Sequence, residues 1–189
     1  MKLYHISSVK GLKILQPKLS THAVPYVYAT SNLELGLLFG SSKSMGDFDG
    51  IYGTNDGKPF FYEAYPNAFK RRFENQTCYI YQVDPTTFLY GKTSFKAEVV
   101  SEKPVKVINC TKVDNLYNKL MSLVQENKIE LKMYDENPKY ISMINEHIKD
   151  RILRYGIMQR KNSTTYRFCQ DKFPHILKEL ENGKQQNLQ

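Results

Sequence analysis

The sequence predicts an α+β protein in which strands come first and helices last. Three observations carry that reading. Short apolar or alternating runs bounded by Pro, Gly, Asn and Asp fill the stretch up to about residue 108, whereas apolar residues recur at three- and four-residue spacing beyond about 114. A length of 189 residues with 41% hydrophobic and 24% charged residues is enough for a real core but too short for two large domains. The boundaries predicted from this change of period are a β-rich domain over 1–110 and a helical C-terminal part over 111–189, packed on it.

In chain order, Lys2-Leu3-Tyr4-His5-Ile6 is a β-prone run, closed by the turn chemistry of Ser7-Ser8-Val9-Lys10-Gly11. Pro17 and Pro25 make 12–25 irregular and leave Ser20-Thr21-His22 in a loop. Tyr26 to Ala29 reads as the second strand. Ser31-Asn32-Leu33-Glu34 then matches a capping box, and Leu33, Leu37 and Leu38 give the helix that follows its apolar side up to about Phe39. The stretch 41–59, rich in glycine and polar residues, predicts a long loop. Strands follow at 60–65, 78–83, 95–100 and 105–108, with a basic turn or short helix at 69–73. Asp114 is the expected cap of a helix carrying Leu116, Leu120, Leu123 and Val124. A second helix over about 139–155 has Ile141, Ile144, Ile148, Ile152 and Tyr155 as its buried stripe and Gly156 as its stop; a third is expected over 174–181.

Lys and Arg number 27 against 19 Asp and Glu, a formal charge of +8, which favours anionic ligands without demanding nucleic acid. Three widely spaced cysteines, Cys78, Cys110 and Cys169, match neither a disulfide framework nor a metal knuckle. With no leader pattern and no long apolar run, the expectation is a cytoplasmic protein with no membrane partner.

Taken singly, His5, Tyr28 and Glu98 read as ordinary residues of half-buried strands. Jointly, a histidine on the first strand, a tyrosine on the second with a helix behind it, and a glutamate on a later strand resemble the ADP-ribosyltransferase-like superfamily, in its diphtheria-toxin and poly-ADP-ribose-polymerase branch. Leu3-Tyr4-His5-Ile6-Ser7 looks like its first element and Tyr26-Val27-Tyr28-Ala29-Thr30-Ser31 like its second, while Glu98 falls where the third is expected. The likeness covers about residues 3–108 and departs from the family at Ile6, where glycine is usual.

The resemblance implies a split β-sheet fold and NAD as substrate. ADP-ribosyl transfer, or NAD glycohydrolysis, would proceed to an acceptor of unknown kind, a nucleic acid or a protein among them. His5 would bond a ribose hydroxyl, with Ser7 beside it; Tyr28 would stack on nicotinamide; Glu98 would stabilise the positive charge developing on the ribose. Ser20, Thr21 and His22 would meet the adenosine or phosphate side, and Lys10, Lys13, Lys18, Arg71 or Arg72 would attract the pyrophosphate. This arrangement requires His5, Tyr28 and Glu98 to line one cleft. Glu63 is the lower-ranked competitor for the carboxylate. The basic-aromatic stretch from Arg151 to Arg167 points to the alternative of a non-catalytic nucleotide- or nucleic-acid-binding module, and the C-terminal helices to that of a partner-binding structural protein.

Overall fold

The computed structural model describes residues 2–19, 24–93 and 96–186. In chain order the elements are β1 (Leu3–Ser7), β2 (Ile14–Leu15), β3 (Val27–Thr30), α1 (Leu33–Leu37), a 3-10 turn (Gly46–Phe48), β4 (Gly50–Asn55), β5 (Lys58–Glu63), α2 (Ala68–Phe73), β6 (Cys78–Val83), β7 (Leu89–Tyr90), β8 (Glu98–Ser101), β9 (Val105–Val113), α3 (Leu116–Gln125), β10 (Glu130–Lys132), α4 (Pro138–Arg154), a second 3-10 turn (Ile157–Gln159), α5 (Thr164–Lys172) and α6 (Pro174–Gln186). The fold is mixed α+β. A seven-stranded sheet runs in the order β2-β9-β6-β1-β3-β8-β7 with its partners antiparallel, and a three-stranded sheet runs β10-β5-β4.

The chain divides into two compact units built from alternating segments. The first comprises residues 1–44, 53–61 and 70–131, and the second 45–52, 62–69 and 132–189.

The first unit holds the seven-stranded sheet. One sheet face buries Leu3, Val27, Ala29, Tyr81, Val83 and Val99 with Leu15, Phe88 and Val105. Part of the other face, at Ile6 and Thr30, is covered by α1 and the residues just after it, which seat on β1 through Gly36 in the helix and Gly40 beyond its end. A Cβ on Gly36 would lie 2.6 Å from Ile6 Cδ1, and one on Gly40 would lie 2.9 Å from Ile6 Cγ2. The bulk that Ile6 brings to a position where glycine was expected is therefore received by the facing helix. The cap of α1 is Asn32, whose side chain accepts from the Leu35 amide, rather than Ser31 of the anticipated capping box. Asn115 likewise replaces Asp114 as the cap of α3. In both places the amide oxygen one residue later is the one that reaches the third amide of its helix.

The anticipated loop over 41–59 contains β4 and the start of β5. Their connection, Asn55-Asp56-Gly57-Lys58, puts Asp56 at φ 48° and Gly57 at φ 82°, the consecutive left-handed pair that a tight hairpin needs. β9 also outruns its expected end at 108 and reaches Val113, since it pairs with β6 along its length, from Val83 opposite Val107 to Cys78 opposite Val113.

The second unit is held by an apolar cluster in which α4, α5 and α6 meet residues of the segments 45–52 and 62–69. Ile144, Ile148, Ile152, Phe173 and Ile176 form its centre, with Phe48, Tyr65 and Ala68 from the earlier segments. The stripe of α4 begins at Tyr140, which is buried, and not at Ile141, because Tyr140 is the residue one turn before Ile144. Asn137 caps α4 with Pro138 at its first turn, and Gly156 at φ 60° ends it as expected. α5 has no counterpart in the sequence reading.

Candidate functional site

β1, β3 and β8 lie side by side, so His5, Tyr28 and Glu98 occupy three adjacent strands. Directly opposed residues share a sheet face, and successive residues alternate. Tyr4 opposes Thr30, Tyr28 opposes Val100, and Thr30 opposes Glu98. Tyr4, Ile6, Tyr28, Thr30 and Glu98 thus belong to one face. His5 opposes Tyr81 and lies with Leu3 on the other, its ring centroid 6.5 Å from that of Tyr81.

The register therefore brings Tyr28 and Glu98 together and sets the His5 side chain on the opposite face. This differs from the single three-sided cleft that the resemblance requires. His5 still meets the strand of Tyr28, through the main chain: its Nδ1 lies 2.9 Å from the Tyr28 carbonyl oxygen. A neutral ring with the proton on Nδ1 donates that bond. Burial lowers the pKa of His5, the bond to Tyr28 opposes the shift, and the nearby charge of Lys18 adds to it. The ring is thus poised to stay neutral and to hold β3 in place.

Tyr28 packs edge-on against Tyr26, centroids 5.9 Å apart. Its hydroxyl is pushed above the ordinary phenol value by burial, then by the charges of Glu98 and Tyr26. Glu98 opens β8, and the residue before it is pinned: Thr30 Oγ1 donates to the Ala97 carbonyl at 2.7 Å, and the Asn32 amide donates to Thr30 Oγ1 at 3.0 Å. Asn32 Nδ2 in turn donates to the Gly57 carbonyl at 2.9 Å. Thr30 and Asn32 are the supporting residues that sequence reasoning missed. A threonine ending a strand two residues before a helix cap was the available signal. Lys96 and Ala97 lie in a turn before β8, so the strand alternation expected from 95 onwards begins only at Glu98, and Phe95 is outside the described residues.

An open cleft of about 710 Å³ adjoins this end of β8, lined by Asn32, Thr54, Asn55, Asp56, Gly57, Lys96 and Ala97. His5, Tyr28 and Glu98 are not in its lining. The paired face of β3 and β8 is the better candidate, since an aromatic ring and a carboxylate converge there.

The remaining candidates are placed as follows. Ser7 ends β1 on the face of His5, and its Oγ accepts from the Val9 amide at 3.1 Å. Ser20, Thr21 and His22 lie outside the described residues. Arg72 is buried, its guanidinium beside the rings of Phe61 and Phe73 and its Nη2 donating to the Leu38 carbonyl at 2.8 Å, so it is a core residue. Arg71 donates to the Lys43 carbonyl at 3.3 Å. Lys10 and Lys13 are exposed.

Lys18 pairs its backbone with Tyr26, each amide donating to the other's carbonyl at 3.1 Å. Glu63 is a buried structural carboxylate: Oε1 accepts from the Phe69 amide at 2.8 Å and Oε2 from the Tyr134 amide at 2.9 Å.

In the second unit the basic-aromatic stretch is engaged within its own fold. Arg151 pairs with Asp47, whose carboxylate also accepts from Tyr52 and Tyr155 at 2.9 and 2.8 Å. Lys161 pairs with Glu181 at 3.0 Å, and Arg160 donates to the Tyr155 carbonyl.

Among the described residues no group of three or more His, Cys, Asp or Glu side chains is arranged to hold a metal ion, and no helix is long and apolar enough to cross a membrane. No family model, curated protein or solved structure matches this chain.

Proposed function

We propose that the chain handles NAD, transferring its ADP-ribosyl group or hydrolysing its nicotinamide bond, at the face shared by β3 and β8. The observation that carries this reading is that Tyr28 and Glu98 stand diagonally on one face of adjacent strands, where the carboxylate's charge raises the pKa of the tyrosine hydroxyl after burial has done so. A flat, electron-poor nicotinamide ring stacks on a tyrosine, and a carboxylate beside it stabilises the positive charge that grows on the ribose as nicotinamide leaves. In this reading His5 is a positioning residue: its neutral ring fixes the backbone of Tyr28 through the carbonyl and does not itself touch the ribose.

The ADP-ribosyltransferase-like split sheet is part of the same proposal. What speaks for it is that β1 and β3 are joined at the single residue pair Tyr4–Thr30 and by the His5 side chain on the Tyr28 carbonyl, although both strands belong to one seven-stranded sheet. An acceptor approaching Glu98 would come past the cleft at Asn32, Asp56 and Lys96.

Calorimetric titration with NAD and assay of released nicotinamide test the proposal. Wild type is expected to bind NAD and release nicotinamide, and Glu98→Gln to retain binding while losing release by about 10²- to 10³-fold, the usual effect of removing one electrostatic stabiliser. Absence of binding at millimolar NAD refutes it, and unchanged release by Glu98→Gln removes Glu98 from the chemistry.

A further inference from the structure

β9 leaves most of its outer edge open. Of its nine residues β2 takes up only the first: Leu15 opposes Val105, Ile14 opposes Lys106, and the Val107 amide donates to the Lys13 carbonyl at 2.9 Å. A bulge then leaves Ile108 between the pairs Val83–Val107 and Gln82–Asn109. From Ile108 to Lys112 five consecutive residues are exposed, Ile108 at 57%. A strand with one covered face alternates buried and exposed residues, so this run is bare on both faces. Among the described residues no strand pairs with that edge.

The chain that follows does not cover it either. Thr77 Oγ1 donates to the Asp114 carbonyl at 3.0 Å and the Leu116 amide to the Gln76 carbonyl at 2.9 Å, so the connection to α3 turns back over the end of β6. The Cys110 amide donates to Asn109 Oδ1 at 2.9 Å, an acceptor from its own strand. Alternation then turns the main-chain groups of Cys110 and Lys112 to the open edge. Such an edge is a template for a further strand, and no proline guards it. Lys112, the one charged side chain in the open run, is paired with Asp114 of its own chain.

We propose that the chain self-associates by antiparallel pairing of β9 with β9 of a second copy, about a two-fold axis at Cys110. The open run is closed at one end by β2 and at the other by the turn to α3, and Cys110 is its midpoint. An axis there pairs every open residue: Ile108 with Lys112, Asn109 with Thr111, and Cys110 with its own counterpart. It also points the second copy's Asp114 to the end of the edge where Lys13 and Lys106 are exposed. An axis at Asn109 would drive the second strand towards β2 and set its Lys112 against Lys106, like charges opposed. An axis at Thr111 would leave Ile108 facing Asp114, which lies beyond the strand. A junction of five-residue strands is at the small end of protein interfaces, so the dimer dissociates in the micromolar range.

In sedimentation velocity under reducing conditions, wild type is expected to pass from monomer to dimer over about 1–500 μM. Cys110→Lys sets two ammonium groups on the axis and should keep the chain monomeric, with an unchanged far-ultraviolet spectrum because the site is exposed. Two double variants guard against a disturbed strand. Asn109→Lys with Thr111→Lys opposes like charges, whereas Asn109→Lys with Thr111→Glu opposes unlike ones and should associate about tenfold more tightly. Oxidation by copper phenanthroline should link the wild-type dimer through Cys110, since Cys78 and Cys169 are buried and opposed strand residues lie within disulfide reach. A chain that stays monomeric over the whole range overturns the proposal and leaves the edge to an extended segment of another protein. Equal association of the two double variants overturns it as well. So does a wild-type dimer that forms no Cys110 cross-link, because its axis then lies elsewhere.

Discussion

Replacing Glu63 by glutamine isolates a buried charge whose surroundings are fully specified. The side chain is 1% exposed, and its two oxygens accept from two backbone amides, Phe69 at 2.8 Å and Tyr134 at 2.9 Å. Glutamine keeps the shape and one acceptor oxygen. Its amide nitrogen, however, must face an N–H, turning one charge-assisted bond into a donor-to-donor contact. The other bond survives as a neutral one. A bond to a charged group contributes about 1.5–3 kcal/mol, a neutral one about 1, and a buried donor left without an acceptor costs about 1–3.

The variant is therefore expected to lose about 2–4 kcal/mol, read as a lowered midpoint at unchanged slope in urea denaturation followed by circular dichroism. If Glu63 is purely structural, nicotinamide release per folded molecule should stay at the wild-type level. A stability change below about 0.5 kcal/mol would refute the bracket as described. Loss of release without loss of stability would return Glu63 to candidacy as the catalytic carboxylate.

Two further outcomes follow from the same geometry. Burial lowers the His5 pKa, so the folded state resists a proton that the unfolded chain accepts at about 6.5. The stability that His5 contributes is present above that value and is lost as pH falls through the folded midpoint. Imidazole resonances followed by NMR should titrate below 6.5 for His5, and a midpoint above 6.5 would contradict the neutral Nδ1 donor. For the seat of α1, Gly36→Ala gains helix propensity of about 1 kcal/mol but sets a methyl 2.6 Å from Ile6 Cδ1, an overpacking of about 1–3. Ile6→Val removes Cδ1, so the double variant should be more stable than the two single effects predict by about 1 kcal/mol or more. Strict additivity would refute the contact.

Much of the strand framework was legible because its residues speak locally. β1 and β6 are short apolar runs with turn residues at their ends, and α4 announces itself through Ile144, Ile148, Ile152 and the left-handed Gly156. The hairpin of β4 and β5 was hidden for a specific reason. Its Asp56-Gly57 turn sits in a glycine-rich polar stretch, and composition outweighed the two-residue turn signal.

At the candidate site, the residue types and their strands could be read, but the faces could not. Whether His5 shares a side with Tyr28 depends on Tyr4 meeting Thr30, a pairing between distant segments that no local pattern encodes.

The alternation of segments between the two units has a consequence for the chain as it leaves the ribosome. Phe48, Tyr65 and Ala68 find their apolar partners on α4, α5 and α6, and Asp47 waits for Tyr155 across 108 residues. During synthesis these early side chains spend the whole elongation of the intervening polypeptide without their native neighbours. Since long-range closure slows folding and leaves apolar surface open to aggregation, the nascent chain has its period of greatest hazard before α4 emerges. Stopping translation anywhere between residues 70 and 131 would release a product with residues 45–52 and 62–69 stranded, whatever its sheet had achieved. Chaperone occupancy mapped along ribosome-bound intermediates should accordingly peak over that interval and fall once residue 180 has cleared the exit tunnel.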